Sequence, residues 1–223
     1  MKRRFIATLF GLITLLTSCG RNNLRSDIKN FIASFSIELA KENYIEGSYE
    51  RVDISEENGG VSKIVTVMKM SRKNEDNLVY DYSQKTYENE IEKKSSRKYV
   101  ERREDKYFLI SDEGETEKNT IDVLSLTLDY FYTSSTEGIY TGGMFMGDAF
   151  REILPDIQDN VSIDEENKLL VYSYVNHMVE DSNEVTITQT VTLDQWGMLV
   201  KDDLVKQSQL GKFETHIVTS KAI

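Results

Sequence analysis

Glu184-Val185-Thr186-Ile187-Thr188-Gln189-Thr190-Val191-Thr192-Leu193-Asp194 decides how the rest of the chain is read. Along an extended backbone Val185, Ile187, Val191 and Leu193 fall on one side, and Thr186, Thr188, Thr190, Thr192 and Asp194 on the other. The segment is therefore a strand with one buried face and one wet face. Gln189 is the exception, a polar side chain on the apolar side. Such alternation belongs to an antiparallel sheet, since strands of a fully buried parallel sheet read as continuous apolar runs.

Working outward, residues 160–164, 168–179, 197–209 and 212–220 continue the pattern. The turns Asp164-Glu165-Glu166-Asn167, Asp181-Ser182-Asn183 and Trp196-Gly197 separate them. Toward the amino end, strands are expected at residues 44–55, 61–72, 77–89, 91–104 and 106–111. Glu56-Glu57-Asn58-Gly59-Gly60 supplies the positive-φ residues of a hairpin, and Lys73-Asn74-Glu75-Asp76-Asn77 is a second polar turn. Ile64, Met68 and Met70 lie opposite Val65 and Val67, as expected of a strand covered on both faces. Most of these strands run well beyond the usual length of about 5 to 6 residues. Long strands in a meander point to a curved sheet or partial barrel.

Two helical stretches interrupt the strands. In residues 26–43, Ser26 is placed to cap and Asp27 to meet the positive helix end, while Ile28, Phe31, Ile32, Phe35 and Leu39 recur on one face. In the middle, Asn119 or Thr120 caps a helix with Ile121, Leu124, Leu128 and Phe131 on one face, widened by Val123, Leu126, Thr127 and Tyr130. A short helix then runs from Asp148 to about Leu154, which Pro155 helps to end. The expected fold class is α+β: a long curved antiparallel half-barrel, with an amino-terminal helix and a central helical insertion covering one face. No internal repeat is visible.

The first nineteen residues have a different character. Lys2, Arg3 and Arg4 precede an uncharged apolar stretch, residues 5–16, which is too short to span about 30 Å of hydrocarbon. The stretch reads as a cleaved export signal. Leu16, Thr17, Ser18 and Cys19 resemble the bacterial lipobox, which implies cleavage ahead of Cys19 and acylation of its thiol by at least two chains, enough for stable anchoring. Cys19 is the only cysteine, so no internal disulfide forms. The alternative is an ordinary cysteine behind a short membrane anchor. The expected organisation is a signal peptide at 1–18, a lipidated tether at 19–25 and one domain at 26–223. That places the protein on the extracytoplasmic face of a cell membrane.

The chain carries 27 Lys and Arg against 38 Asp and Glu, a net charge of −11. So acidic a surface argues against nucleic acid, whose binding depends on neutralising phosphates. His177 and His216 lie on separate strands without the companions of a zinc site, so no metal or cofactor is expected. The acidic clusters 53–57, 112–115 and 156–159 lack the pattern of a calcium loop and read as solvated turns. There is no G-x-S-x-G elbow and no thiol beyond Cys19. Paired carboxylates for glycoside cleavage are neither excluded nor singled out among so many acids. Gly142, Gly143 and Gly147 do not form a phosphate loop. The chain is expected not to be an enzyme.

Two features invite a functional reading. Met144, Phe145 and Met146, set among glycines, form either a ligand-touching mobile lid or part of the core between two helices. Lys93, Lys94, Arg97, Lys98, Arg102, Arg103 and Lys106 either face anionic headgroups or wall polymer, or guard a strand edge.

The order of elements over residues 26–220 resembles the LolA/LppX-like group of lipoprotein carriers and lipid-binding lipoproteins. The resemblance implies an incomplete barrel wrapped around helices that cover an apolar cavity. No sequence motif backs it, so no binding residue is carried over. The resulting expectation is a membrane-anchored, non-enzymatic lipoprotein that binds an apolar or amphipathic ligand, a lipid, or an envelope protein partner. The alternative is a protein-interaction or signalling scaffold without a cavity; a cell-envelope hydrolase comes third. A carrier requires a continuous apolar void of several hundred cubic ångströms, whereas a scaffold is packed solid.

Overall fold

Turn chemistry lays down the sheet one hairpin at a time. The computed structural model describes residues 24–132, 134–136, 139–141, 144–180 and 183–221. Cys19, the expected signal, most of the tether, Gly142 and Gly143 lie outside these residues. A first meander runs through β1 (Glu46–Glu57), β2 (Gly60–Ser71), β3 (Val79–Glu88), β4 (Ile91–Arg103), β5 (Lys106–Ser111) and β6 (Gly114–Lys118). Its first turn holds Asn58 at φ 51° and Gly59 at φ 77°, the two left-handed residues that let long twisted strands reverse in a tight loop. The helical insertion carries a small separate hairpin, β7 (Ser134–Thr136) and β8 (Ile139–Thr141). A second meander follows: β9 (Val161–Asp164), β10 (Leu169–Glu180), β11 (Asn183–Asp194), β12 (Leu199–Ser208) and β13 (Gly211–Lys221).

The meanders join where the last strand meets the first. β13 pairs with β1 from Gly47↔Lys221 to Glu57↔Gly211, making an antiparallel sheet of eleven strands in the order β6-β5-β4-β3-β2-β1-β13-β12-β11-β10-β9. The sheet is curved and not closed, the α+β half-barrel that the strand lengths imply. On β11, Val185, Ile187, Val191 and Leu193 are buried as the alternation requires.

Helices depart from the sequence reading in three places. The stripe in residues 26–43 is divided between α1 (Ser26–Phe31) and α2 (Ile37–Asn43), joined through a 3₁₀ turn at Ile32–Ser34. Ser34 Oγ donates to Phe31 O and to Gln195 O at 2.7 Å, Phe35 turns extended, and Ser36 caps α2 by accepting from Leu39 N. Ser26 is the first helical residue and makes no cap; instead Arg25 just before it holds Gln158 O and Val161 O. Ile28 and Phe35 are fully buried, but Leu39 is 38% exposed because α2 no longer continues α1's face.

Asn119 caps α3 (Thr120–Thr127), accepting from Asp122 N at 2.9 Å. The face that packs inward is Val123, Thr127 and Tyr130, with Phe131, while Ile121 is 77% exposed. Tyr130 determines this choice. Its hydroxyl reaches across β1, where Gly47 leaves room that an added Cβ would fill at 2.7 Å. Finally, α4 (Gly147–Ile157) runs through Pro155 and two residues beyond rather than ending there. Outside the helices, β6, β7 and β8 occupy segments not read as strands, and Asp53 sits inside β1, not in a solvated turn.

Candidate functional site

Strand registers show which residues share the concave face. Tyr49 pairs with Met68, Met70 with Tyr80, and Val191 with Tyr172, and all six point inward. The helical insertion lies against this end of the face. The Tyr130 ring centroid lies 5.5 Å from that of Phe131, 6.1 Å from that of Tyr49 and 6.5 Å from that of Tyr44. Tyr130, Leu154 and Met198 are wholly buried. This half of the half-barrel is filled by protein.

Met144, Phe145 and Met146 belong to that filling. Met144 N donates to Tyr130 O, Phe145 N to Phe131 O and Met146 N to Gly197 O, while Leu199 N donates back to Met144 O at 2.6 Å. The three residues thus tie the end of the α3 segment to the β11–β12 turn. Met144 is 2% exposed, and Phe145 and Met146 are half-buried. The turn they grip depends on Gly197, at φ +86°, where an added Cβ would lie 2.8 Å from Gly147 Cα. Asp194 closes the same turn: it accepts from Tyr44 Oη at 2.7 Å and from the backbone of Trp196 and Met198.

Midway along the strands a polar belt crosses the face. Gln84 Nε2 donates to Thr66 Oγ1 at 3.3 Å on β3 and β2. On β1, Arg51 grips Asp53 with two bonds at 2.8 and 3.0 Å, and Thr215 on β13 donates to the same carboxylate at 2.7 Å. On β11, Gln189 Nε2 donates to Asp202 Oδ1 on β12 at 3.1 Å. Asp202 is only 6% exposed, and burial pushes its carboxyl up to about 6, although Gln189, Arg51 and His216 favour the charged form. Gln189, the one break in the apolar pattern of its strand, is the sequence signal of this belt. The rest could not be found from alternation, because Arg51, Thr66 and Asp202 pass as ordinary strand residues.

Beyond the belt lies a smaller apolar cluster of Val185, Ile187 and Leu204, with Met178 against it. Lys206 on β12 reaches over β11 to Glu180 on β10 at 2.7 Å and roofs part of it. Among the described residues the two clearest surface depressions lie elsewhere. One, of about 540 Å³, sits between the β1–β2 and β12–β13 turns, and the other, of about 480 Å³, beside Lys106 and Asn119. The first is lined by residues of those turns, Val61 and Leu210 among them, and the second by residues of β5, β6 and α3, including Tyr107.

The remaining candidates are dispersed. His177 Nδ1 lies 3.0 Å from Thr186 Oγ1, and His216 Nδ1 lies 2.9 Å from Asp203 Oδ1. No group of three or more His, Cys, Asp or Glu among the described residues is arranged to hold a metal ion. In the basic run, Arg97 holds Asp81 with two bonds at 2.8 and 2.9 Å, Arg102 holds Asp76, Arg103 holds Glu101 and Glu115, and Lys106 holds Glu117. These four cations are paired with carboxylates of neighbouring segments. No described helix is long and apolar enough to cross a membrane.

No protein-family model matches the chain, and no curated protein matches it. Among the solved structures that align with it, two cover most of its length. One is a beta-barrel-like protein of a domain of unknown function from Brucella abortus, 7% identical with a TM-score of 0.22, the alignment covering 80% of this chain and 99% of that one. The other is a domain described as an outer membrane lipoprotein-sorting protein from Vibrio parahaemolyticus, 11% identical with a TM-score of 0.23, covering 87% and 88%. Likenesses this weak carry no functional argument, which rests instead on the concave face itself.

Proposed function

We propose that this chain is a lipid-anchored, non-enzymatic protein of the cell envelope that works by binding at the outside of its half-barrel. The observation that supports this is the filled interior. Tyr130, Phe131, Met144, Leu154 and Met198, each no more than 2% exposed, occupy the space where a carrier would hold its cargo. Anchoring through Cys19 rests on the lipobox resemblance and the basic, then apolar, leader before it.

One observation favours a second reading, a carrier of an apolar or amphipathic ligand. Met68, Met70, Met144 and Met198 are all within the core, and methionine repacks around irregular shapes more readily than branched side chains. Native mass spectrometry of the protein purified from its own host separates the two readings. The expected spectrum shows the acylated chain with no further lipid. A stoichiometric extra lipid overturns the filled-interior reading in favour of the carrier.

A further inference from the structure

The half-barrel's edges are stepped. At one edge β5 pairs only with residues Tyr99 to Arg103 of β4, so the outer part of β4, from Ile91 to Lys98, has a neighbour on one side alone among the described residues. At the other edge β9 pairs only with Leu169 to Tyr172 of β10, and the stretch from Ser173 to Glu180 is likewise single-sided. An unpaired edge is a template for another strand, and proteins usually blunt it with charge. β4 is blunted in that way by Glu92, Lys93, Lys94, Arg97 and Lys98. β10 is not. From Ser173 to Val179 it reads Ser-Tyr-Val-Asn-His-Met-Val, with Val175 61% and Val179 71% exposed. Glu180, already bonded to Lys206, is the first formal charge.

We infer that the outer half of β10 is a homodimer edge, pairing antiparallel with the same stretch of a second copy of this chain. Self-complementarity selects that occupant, against the general repulsion between two chains that each carry a net charge of −11. Pairing about a twofold axis at His177 sets Val175 of each copy against Val179 of the other on the convex face, burying the two exposed apolar side chains of the edge. Pairing with a second copy's β4 would instead bring in five charged residues and propagate open-ended, with no closure. The inference goes beyond the binding reading above, and it stands whether or not the interior holds a lipid.

A cysteine placed on the axis provides the test. Directly opposed residues of an antiparallel pair have Cα atoms about 4.5 or 5.5 Å apart, inside the range of about 4.4 to 6.8 Å that a disulfide spans. In the full chain in its native membrane, His177→Cys under mild oxidant is expected to run as a cross-linked dimer on a non-reducing gel. Neither the parent chain nor Thr188→Cys, on the exposed face of β11 one strand inward, should do so. Adding Val175→Lys and Val179→Lys should abolish the cross-link while leaving the melting temperature within a few degrees. If His177→Cys cross-links no more than Thr188→Cys, the edge is not a dimer interface. The assignment is equally overturned if the added lysines fold normally and leave the cross-link unchanged.

Discussion

Asp202→Asn tests the polar belt directly. Asp202 is a carboxyl 94% removed from solvent by the strands around it, with Gln189 as its one hydrogen-bonding side chain, and burial lifts it from an ordinary 3.8 to about 6. A raised acid binds its proton more tightly in the folded chain than in the unfolded one. Its contribution to stability is therefore complete below about pH 3.8 and is lost as pH rises through about 6. At neutral pH the ionised carboxylate is a standing cost. A shift of roughly two pH units, at 1.36 kcal/mol per unit, sets that cost at about 3 kcal/mol. Asparagine keeps an oxygen for Gln189 and carries no charge, but burying its amide, a donor that the carboxylate does not carry, costs about 1 kcal/mol. The variant should thus be about 2 kcal/mol more stable than the parent at pH 7.5, and slightly less stable at pH 4.

Urea unfolding of both chains at pH 4, 5, 6 and 7.5 provides the assay, with the difference between the two curves as the readout, since other titrating groups cancel in it. Between pH 4 and 7.5 the difference should move by about 2.5 kcal/mol in favour of the variant, with its midpoint near pH 5. Parallel curves, or a variant less stable than the parent at pH 7.5, would refute the claim that Asp202 is held charged at a cost.

Gly197→Ala should destabilise by about 2 kcal/mol or more, because it combines a left-handed backbone with a 2.8 Å approach to Gly147 Cα. Gly59→Ala, also left-handed at φ 77° but with nothing within 4 Å of the added methyl, should cost about half as much, both variants being read by thermal melt against the parent chain. Asn119→Ala removes the α3 cap and should cost about 1 kcal/mol, read by urea midpoint. Cys19→Ala should accumulate as an unprocessed, non-acylated precursor in metabolic labelling with a fatty acid; normal labelling would remove the basis for the anchor.

Alternation carried the sheet far because it is local. Each of Val185, Ile187, Val191 and Leu193 declares its face through its immediate neighbours, and burial follows. What alternation cannot express is contact between distant segments. Nothing near Ser34 announces that its hydroxyl will bond Gln195 O, 161 residues away, and that bond accompanies the break between α1 and α2. For a similar reason the sequence marks the wide apolar girth of α3, with Val123, Thr127, Tyr130 and Phe131 in it, but not that Ile121 is left outside. Ile121 and Leu124 are as apolar as Val123 and Thr127, and the choice between faces falls to Tyr130 docking over Gly47. The strand edges were half legible: the lysines of β4 announced a guarded edge, while the bareness of β10 became visible only once β9 proved four residues long.

The belt bears on what the half-barrel can hold. It separates the plugged apolar end from the cluster around Val185 and Leu204, which are distinct groups of side chains with Gln189 and Asp202 between them. An apolar chain threaded along the concave face would have to lie across Arg51, Asp53 and Asp202, stripping water and partners from charged groups at a cost of several kcal/mol. It would also have to displace Tyr130 and Met144, whose burial stabilises the fold. Neither obstacle touches the outside of the sheet, where the outer half of β10 has a neighbouring strand on one side alone among the described residues. The two costs together favour a surface-binding role over carriage through the interior. They also predict where a carrier would have to differ: Asp202 and Asp53 replaced by uncharged residues, with small side chains in place of Tyr130 and Met144.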